Sequence, residues 1–238
     1  RWKGATPLLA ACYEGHIDAA QLCLDHGADI NLAAGDGGTA LLSACEKGHV
    51  DVARLMLDKG AEIDQAYKGG ATSLYIACQN DHVDAARLLL DNGAEVDRAK
   101  ENGATPLLVA CYEGHIDAAR LCLDRGADIN LAADDGGTAL LSACEKGHVD
   151  VARLMLDKGA EIDQAYKGGA TSLYIACQND HVDAARLLLD NGAEVDRAKE
   201  NGATSLYIAC QNGHVEVARL LLEKGADVNR AMEDGRTP

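Results

Sequence analysis

"GATPLLAACYEGHIDAAQLCLDHGADIN" (Gly4–Asn31) reads as two short helices and a return loop. Thr6 stands where a hydroxyl can accept one of the unpaired N–H groups of a helix start. Pro7 follows at the first helical position, where its missing N–H costs nothing. Leu8, Ala11 and Cys12 recur at i, i+3 and i+4 and make one apolar face. Gly15 stops this helix, because glycine enters the left-handed region without steric penalty. The pattern predicts a second helix over Ile17–Asp25, with Ala20, Leu22 and Leu24 turned inward or towards neighbours, and an end at Gly27. "GADIN" then turns the chain outward, and Gly37-Gly38 supports a tight turn before the next threonine.

The unit repeats. Thr6, Thr39, Thr72, Thr105, Thr138, Thr171, Thr204 and Thr237 recur at one constant interval, and the histidines from His16 to His214 and the glycines from Gly4 to Gly235 keep the same step. A longer period lies on top: residues 4–102 and 103–201 match except at four positions, where Ala10, Gln21, His26 and Gly35 face Val109, Arg120, Arg125 and Asp134. The duplicated block thus holds three repeats of successive types; a seventh repeat copies the third type and an eighth begins at Met232. One helix pair cannot bury its apolar face alone, but stacked on its neighbours it can. The expected architecture is all-α, a solenoid of stacked helix–turn–helix units with hairpin-like loops. Repeats fall at about 1–33, 34–66, 67–99, 100–132, 133–165, 166–198 and 199–231, with a partial repeat at 232–238, in one array over 1–238.

"GATPLL…AC…GHIDAA…L…GADIN" in seven in-register copies resembles the ankyrin repeat, across essentially the whole chain. Several positions depart from that pattern. The family's T-P-L-H appears as "TPLL", "TALL" or "TSLY", so Leu9, Leu42, Tyr75, Leu108, Leu141, Tyr174 and Tyr207 stand where a locally bonded histidine is usual, and apolar packing is expected to replace it. The hairpin-opening Asp is replaced by Ala34, Tyr67, Lys100, Ala133, Tyr166 or Lys199, which predicts looser hairpin tips. Asp81 and Asp180 take the helix-stop glycine's place, at an expected cost of about 1 kcal/mol each.

Composition narrows the function. A net charge of −16 argues against binding nucleic-acid phosphates or an anionic membrane, and mildly favours a basic or polar partner. No apolar run approaches the ~20 residues needed to span a bilayer. Nine cysteines, an odd count, suit a reducing intracellular, cytoplasmic setting better than a disulfide framework. A Cys-x-x-x-His pair, first met as Cys12/His16, could be a nucleophile and its base, but it recurs in all seven repeats. An active site is built once, so the pair reads as structural: a small buried thiol, and an imidazole bonding loop backbone. Equivalent cysteines in helices packed roughly 10 Å apart are too distant for a disulfide or a shared zinc. Cys23 and Cys122 read as buried apolar residues, and His26 as a partner for a helix C-terminus. No phosphate loop or calcium loop is present, so neither an enzyme nor a cofactor is expected.

The resemblance implies a non-enzymatic scaffold that binds protein or peptide partners on a concave face of hairpin tips and exposed first-helix positions. Carried over, those positions are Trp2, Lys3, Tyr13 and Glu14; Asp36, Glu46 and Lys47; Lys68, Gln79 and Asn80; Glu101, Asn102, Tyr112 and Glu113; Asp134, Asp135, Glu145 and Lys146; Lys167, Gln178 and Asn179; and Glu200, Asn201, Gln211 and Asn212. Tyr13 and Tyr112 are the expected anchors, since tyrosine is frequent among dominant interface residues. Trp2 is either another anchor or a lid on the first repeat. The duplication implies two near-equivalent sites roughly 30 Å apart. The alternative is a structural spacer or an engineered repeat scaffold with no dedicated ligand. The ends, "RWKG" and "GRTP", lack polar capping helices, so a fragment of a longer array and end-to-end self-association are expected.

Overall fold

The computed structural model describes residues 4–230. Helices pair in chain order: α1 (Pro7–Glu14) with α2 (Ile17–Asp25), α3 (Ala40–Glu46) with α4 (Val50–Asp58), α5 (Ser73–Gln79) with α6 (Val83–Asp91), and α7 (Pro106–Glu113) with α8 (Ile116–Asp124). The series continues with α9 (Ala139–Glu145) and α10 (Val149–Asp157), α11 (Ser172–Gln178) and α12 (Val182–Asp190), and α13 (Ser205–Asn212) and α14 (Val215–Glu223). No strand occurs among the described residues, and the fold is an all-α repeat. The chain clusters into two compact units. One reaches to Ala110 and takes in Asp117–Ala127; the other comprises Cys111–Ile116 and the chain from Asp128 onward.

Local chemistry sets these boundaries. Thr6 has an extended backbone, and its hydroxyl accepts the Leu9 N–H at 3.2 Å. Thr39, Thr72, Thr138, Thr171 and Thr204 cap their helices in the same way. Buried caps of this kind are worth about 1 kcal/mol each. Gly15 ends α1 in the left-handed conformation, with φ 77°. Asp81 and Asp180 occupy that same region without being glycine, with φ of 58° and 61°. The Asp180 carboxylate lies 3.7 Å from His214 Nδ1 in the next repeat, a pair that attracts only when the imidazole is protonated.

Leucine and alanine fill the core. Ala20, Ala53, Ala86, Ala152 and Ala185 are fully buried on the second helices, and so small a side chain lets helices approach closely. The positions that lost the family histidine pack as apolar groups: Leu9, Leu42, Tyr75, Leu108, Leu141 and Tyr174 are all buried. Two expectations need correction. Cys23 is only half-buried, unlike Cys122, and Leu22 is exposed, because α2 has no described helix on its outer side. Four of the hairpin tips are also tied rather than loose: Asp36, Asn102, Asp135 and Asn201, at the third hairpin position, each accept a backbone N–H two residues on.

The cysteines are free. Burial raises the thiols of Cys45, Cys144 and Cys177 to about 12, and does the same for Cys12 with a smaller addition from Cys23. At neutral pH they remain protonated and behave as packing groups. Non-equivalent positions meet across repeats: Cys12 Sγ lies 3.6 Å from Met56 Sδ, Cys111 Sγ 3.7 Å from Met155 Sδ, and Cys78 Sγ 3.7 Å from Cys122 Sγ, each pair 44 residues apart.

Candidate interaction face

The recurring histidines open the second helices and reach backwards. Carbonyl oxygens only accept, so Nε2 carries the proton and donates. His49 donates to the Tyr13 carbonyl at 3.1 Å, His82 to Glu46 at 3.0 Å, His148 to Tyr112 at 3.1 Å and His181 to Glu145 at 3.0 Å. Each ring therefore fixes the C-terminal end of the preceding first helix, the segment that carries the expected binding residues. These bonds give the Cys-x-x-x-His pair a structural part: the imidazole is turned to the previous repeat and not to its own cysteine. Among the described residues no group of three or more His, Cys, Asp and Glu side chains could hold a metal ion.

On this fixed platform, four of the expected residues gather in each unit. In the first, the Lys47 ammonium lies 4.5 Å from the centre of the Tyr13 ring, with Glu46 at 4.0 Å and Glu14 nearby in charge. A hydrogen bond to Tyr13 raises the Lys47 pKa, desolvation opposes it, and the charges of Tyr13, Glu46 and Glu14 add to the rise. In the second unit the Lys146 ammonium lies 4.3 Å from the Tyr112 ring centre and 4.0 Å from Glu145, with the same causes raising its pKa and Glu113 contributing. A cation over a tyrosine face is attracted by the ring's quadrupole. Tyr13 and Tyr112, the anchors expected from the sequence, are each covered by a lysine of the following repeat, a partnership that spacing within one repeat could not reveal.

The hairpin tips form a second row. The Lys68 N–H donates to the Asp36 carbonyl at 3.0 Å and the Glu101 N–H to Gly69 at 3.1 Å; in the other unit Lys167 donates to Asp135 at 2.9 Å and Glu200 to Gly168 at 3.1 Å. Backbone joins these tips, while the side chains of Lys68, Glu101, Asn102, Asp134, Asp135, Lys167, Glu200 and Asn201 are exposed. Along the first-helix ends, the Asn80 amide is spent on the Ile76 carbonyl, Asn179 on Glu145 and Asn212 on Gln178. Gln79 is half-buried, and Gln178 and Gln211 are exposed. Trp2 and Lys3 lie outside the described residues.

Sequence reasoning missed two groups on the same face. Lys100 lies 5.0 Å from the Tyr75 ring centre, and Lys199 lies 5.0 Å from that of Tyr174. Tyr166 leans on the preceding hairpin, where the Asp135 charge, burial and a hydrogen bond to Asp135 raise its phenol pKa. The only trace of these in the sequence is that Lys and Tyr occupy hairpin positions where the family carries Asp.

The sequence profile of the family described as "Ankyrin repeats (3 copies)" matches residues 1–67, 29–100, 64–133, 97–166, 121–199 and 163–232. Capped helix pairs at a constant interval, backward-reaching histidines and joined hairpin tips are the elements of that family, and the chain belongs to it. Among solved structures it is similar to the human ASB11 ankyrin repeat domain, at 28% sequence identity and a TM-score of 0.84, with 94% of this chain and 99% of that chain covered. No match was found among curated proteins.

Proposed function

We propose that the chain is a non-catalytic binding module whose hairpin tips and first-helix ends hold a protein or peptide partner along the repeat array. The observation that carries this reading is the duplicated Tyr–Glu–Glu–Lys cluster, Tyr13, Glu14, Glu46 and Lys47 with its copy Tyr112, Glu113, Glu145 and Lys146. Each offers a flat aromatic surface, a cation and two acids. Such a cluster suits a partner segment with an apolar side chain flanked by basic or polar groups. With an acidic chain, no affinity for nucleic acid or an anionic membrane is expected; no described helix is long and apolar enough to cross a bilayer. Nine free thiols support work in a reducing compartment.

The test uses affinity capture followed by calorimetry with a monovalent fragment of the captured partner. We expect about two sites per chain, consistent with avidity for a repetitive partner. Tyr13→Ser should remove one site and Tyr112→Ser the other, each with its helical circular dichroism retained. A single site would refute the two-site reading. Capture that survives both substitutions would move binding off these clusters, and no captured partner at all would favour a structural spacer or an engineered scaffold, a reading that the near-identity of blocks 4–102 and 103–201 supports.

A further inference from the structure

One packing contact recurs between neighbouring repeats. A cysteine of a first helix meets the residue 44 positions on, in the second helix of the next repeat: Cys12 meets Met56 at 3.6 Å, Cys78 meets Cys122 at 3.7 Å and Cys111 meets Met155 at 3.7 Å. The same register sets Cys45 against Leu89, Cys144 against Leu188 and Cys177 against Leu221 in the sequence. Methionine and leucine fill the second-helix position elsewhere, so packing alone does not call for a thiol there. In this register only the junction of repeats three and four carries a thiol on both sides.

That junction is dry and held in place. Cys78 and Cys122 are fully buried, as are their chain neighbours Ala77 and Ala119 and the nearby Ala118. Both thiols belong to one compact unit. At the far ends of the second helices, the Arg125 guanidinium lies 2.8 Å from the Asp91 carboxylate. The matching junction of repeats six and seven keeps an ion pair, Lys224 with Asp190, but has Leu221 in place of the second thiol.

We propose that Cys78 and Cys122 are a redox-operated clamp, a thiol pair that a two-electron oxidant converts into a disulfide fastening α5 to α8. The two thiols give up two electrons and two protons, one S–S bond forms, and a hydrogen peroxide molecule that accepts them leaves as two waters. The 3.7 Å contact then shortens to the bond length of about 2 Å. With both sulfurs shut off from solvent, the oxidant enters only when repeats three and four part locally. The bond closes a loop across the junction, so parting these repeats becomes less favourable than in the dithiol form. In a reducing compartment the junction keeps its ordinary opening; under oxidising conditions it is locked. The matching place in the other unit, with Leu221 opposite Cys177, has no such lock.

The test uses the full chain carrying Cys210→Ser, which removes an exposed thiol that could join copies. Diamide takes the same two electrons and two protons, becoming its hydrazine. Peptide mapping without reductant should find Cys78 joined to Cys122 in a chain of monomer mass. The urea midpoint of the oxidised chain should rise by about 1 M and fall back with dithiothreitol. Cys122→Leu copies the residue at 221 and should lose both the link and the shift; Cys122→Ala, a smaller replacement for the case in which leucine does not fit, should behave alike. A link from Cys78 to Cys45 or Cys111, its equivalents in the adjoining repeats, overturns the pairing. A Cys78–Cys122 link with an unchanged or lower midpoint overturns the clamp. No link at all, even in urea just below the midpoint where the repeats open freely, overturns both.

Discussion

Asp64 stands where Asn31 stands one repeat earlier, and the two show how a single atom changes a shared loop. Asn31 accepts the Glu62 N–H at 2.9 Å through Oδ1, while its backbone carbonyl accepts the Gln65 amide at 3.2 Å. Asp64 accepts the Glu95 N–H at 3.2 Å through Oδ2, but its Oδ1 is buried without a partner. Burial raises the Asp64 pKa, the hydrogen bond to Glu95 opposes this, the Glu95 charge adds to it and Arg98 opposes it. A carboxyl raised in the folded state favours folding while protonated and loses that advantage as pH rises through its folded pKa. Asp64→Asn should therefore stabilise the protein at pH 7, by about 0.5 kcal/mol once the loop's exposure is allowed for. The gain should vanish when the pH falls below the carboxylate range. Chemical denaturation at both pH values measures it, and an equal gain at acid pH would exclude the ionisation as the cause. The carboxylate at this position was visible in the sequence as a loop acid; its bond to a loop 31 residues further on was not, because that contact exists only once repeats stack.

At the scale of the element, the helix stops show two separate demands on glycine. Gly60 ends the α4 segment at φ 89°, and a Cβ there would meet nothing within 4 Å. Gly48 ends α3 at φ 71°, and a Cβ there would fall 2.6 Å from His82 Nδ1, the ring that reaches back to the Glu46 carbonyl. Gly60→Ala should then cost only the left-handed backbone penalty, about 1 kcal/mol. Gly48→Ala should cost that plus the displacement of a bonded imidazole, about 1–3 kcal/mol more. Urea denaturation of the two variants separates the terms, and equal costs would show that the histidine ring yields freely. Helix boundaries, caps and stops were legible in the sequence because each depends on residues within one turn. The second demand on Gly48 was not, since it is imposed by a histidine of the following repeat.

For the whole molecule, charge and repetition govern behaviour. A net −16 on 238 residues sets the acids against one another. Ion pairs between repeats, such as Lys224 Nζ to Asp190 Oδ1 at 2.6 Å, offset only part of that repulsion. Raising salt from ~0.01 M to ~0.15 M shortens the screening length from about 30 Å to about 8 Å. The melting temperature should rise by about 2–4 °C, the equivalent of about 1 kcal/mol in a chain of this size; a fall in calorimetry would mean that the ion pairs outweigh the repulsion. By itself the sequence determined the repeat, the family, the all-α class and the places where helices start and stop, because a pattern copied seven times reports the same local rules seven times. Only the tertiary structure decided which residues meet: Lys47 over Tyr13, His49 on the Tyr13 carbonyl, Cys78 against Cys122. It also decided that the same leucine is bare in repeat one and covered in repeat four. The physical reason is that a local rule is complete within a turn, whereas burial and pairing belong to the neighbour that a repeat stacks upon.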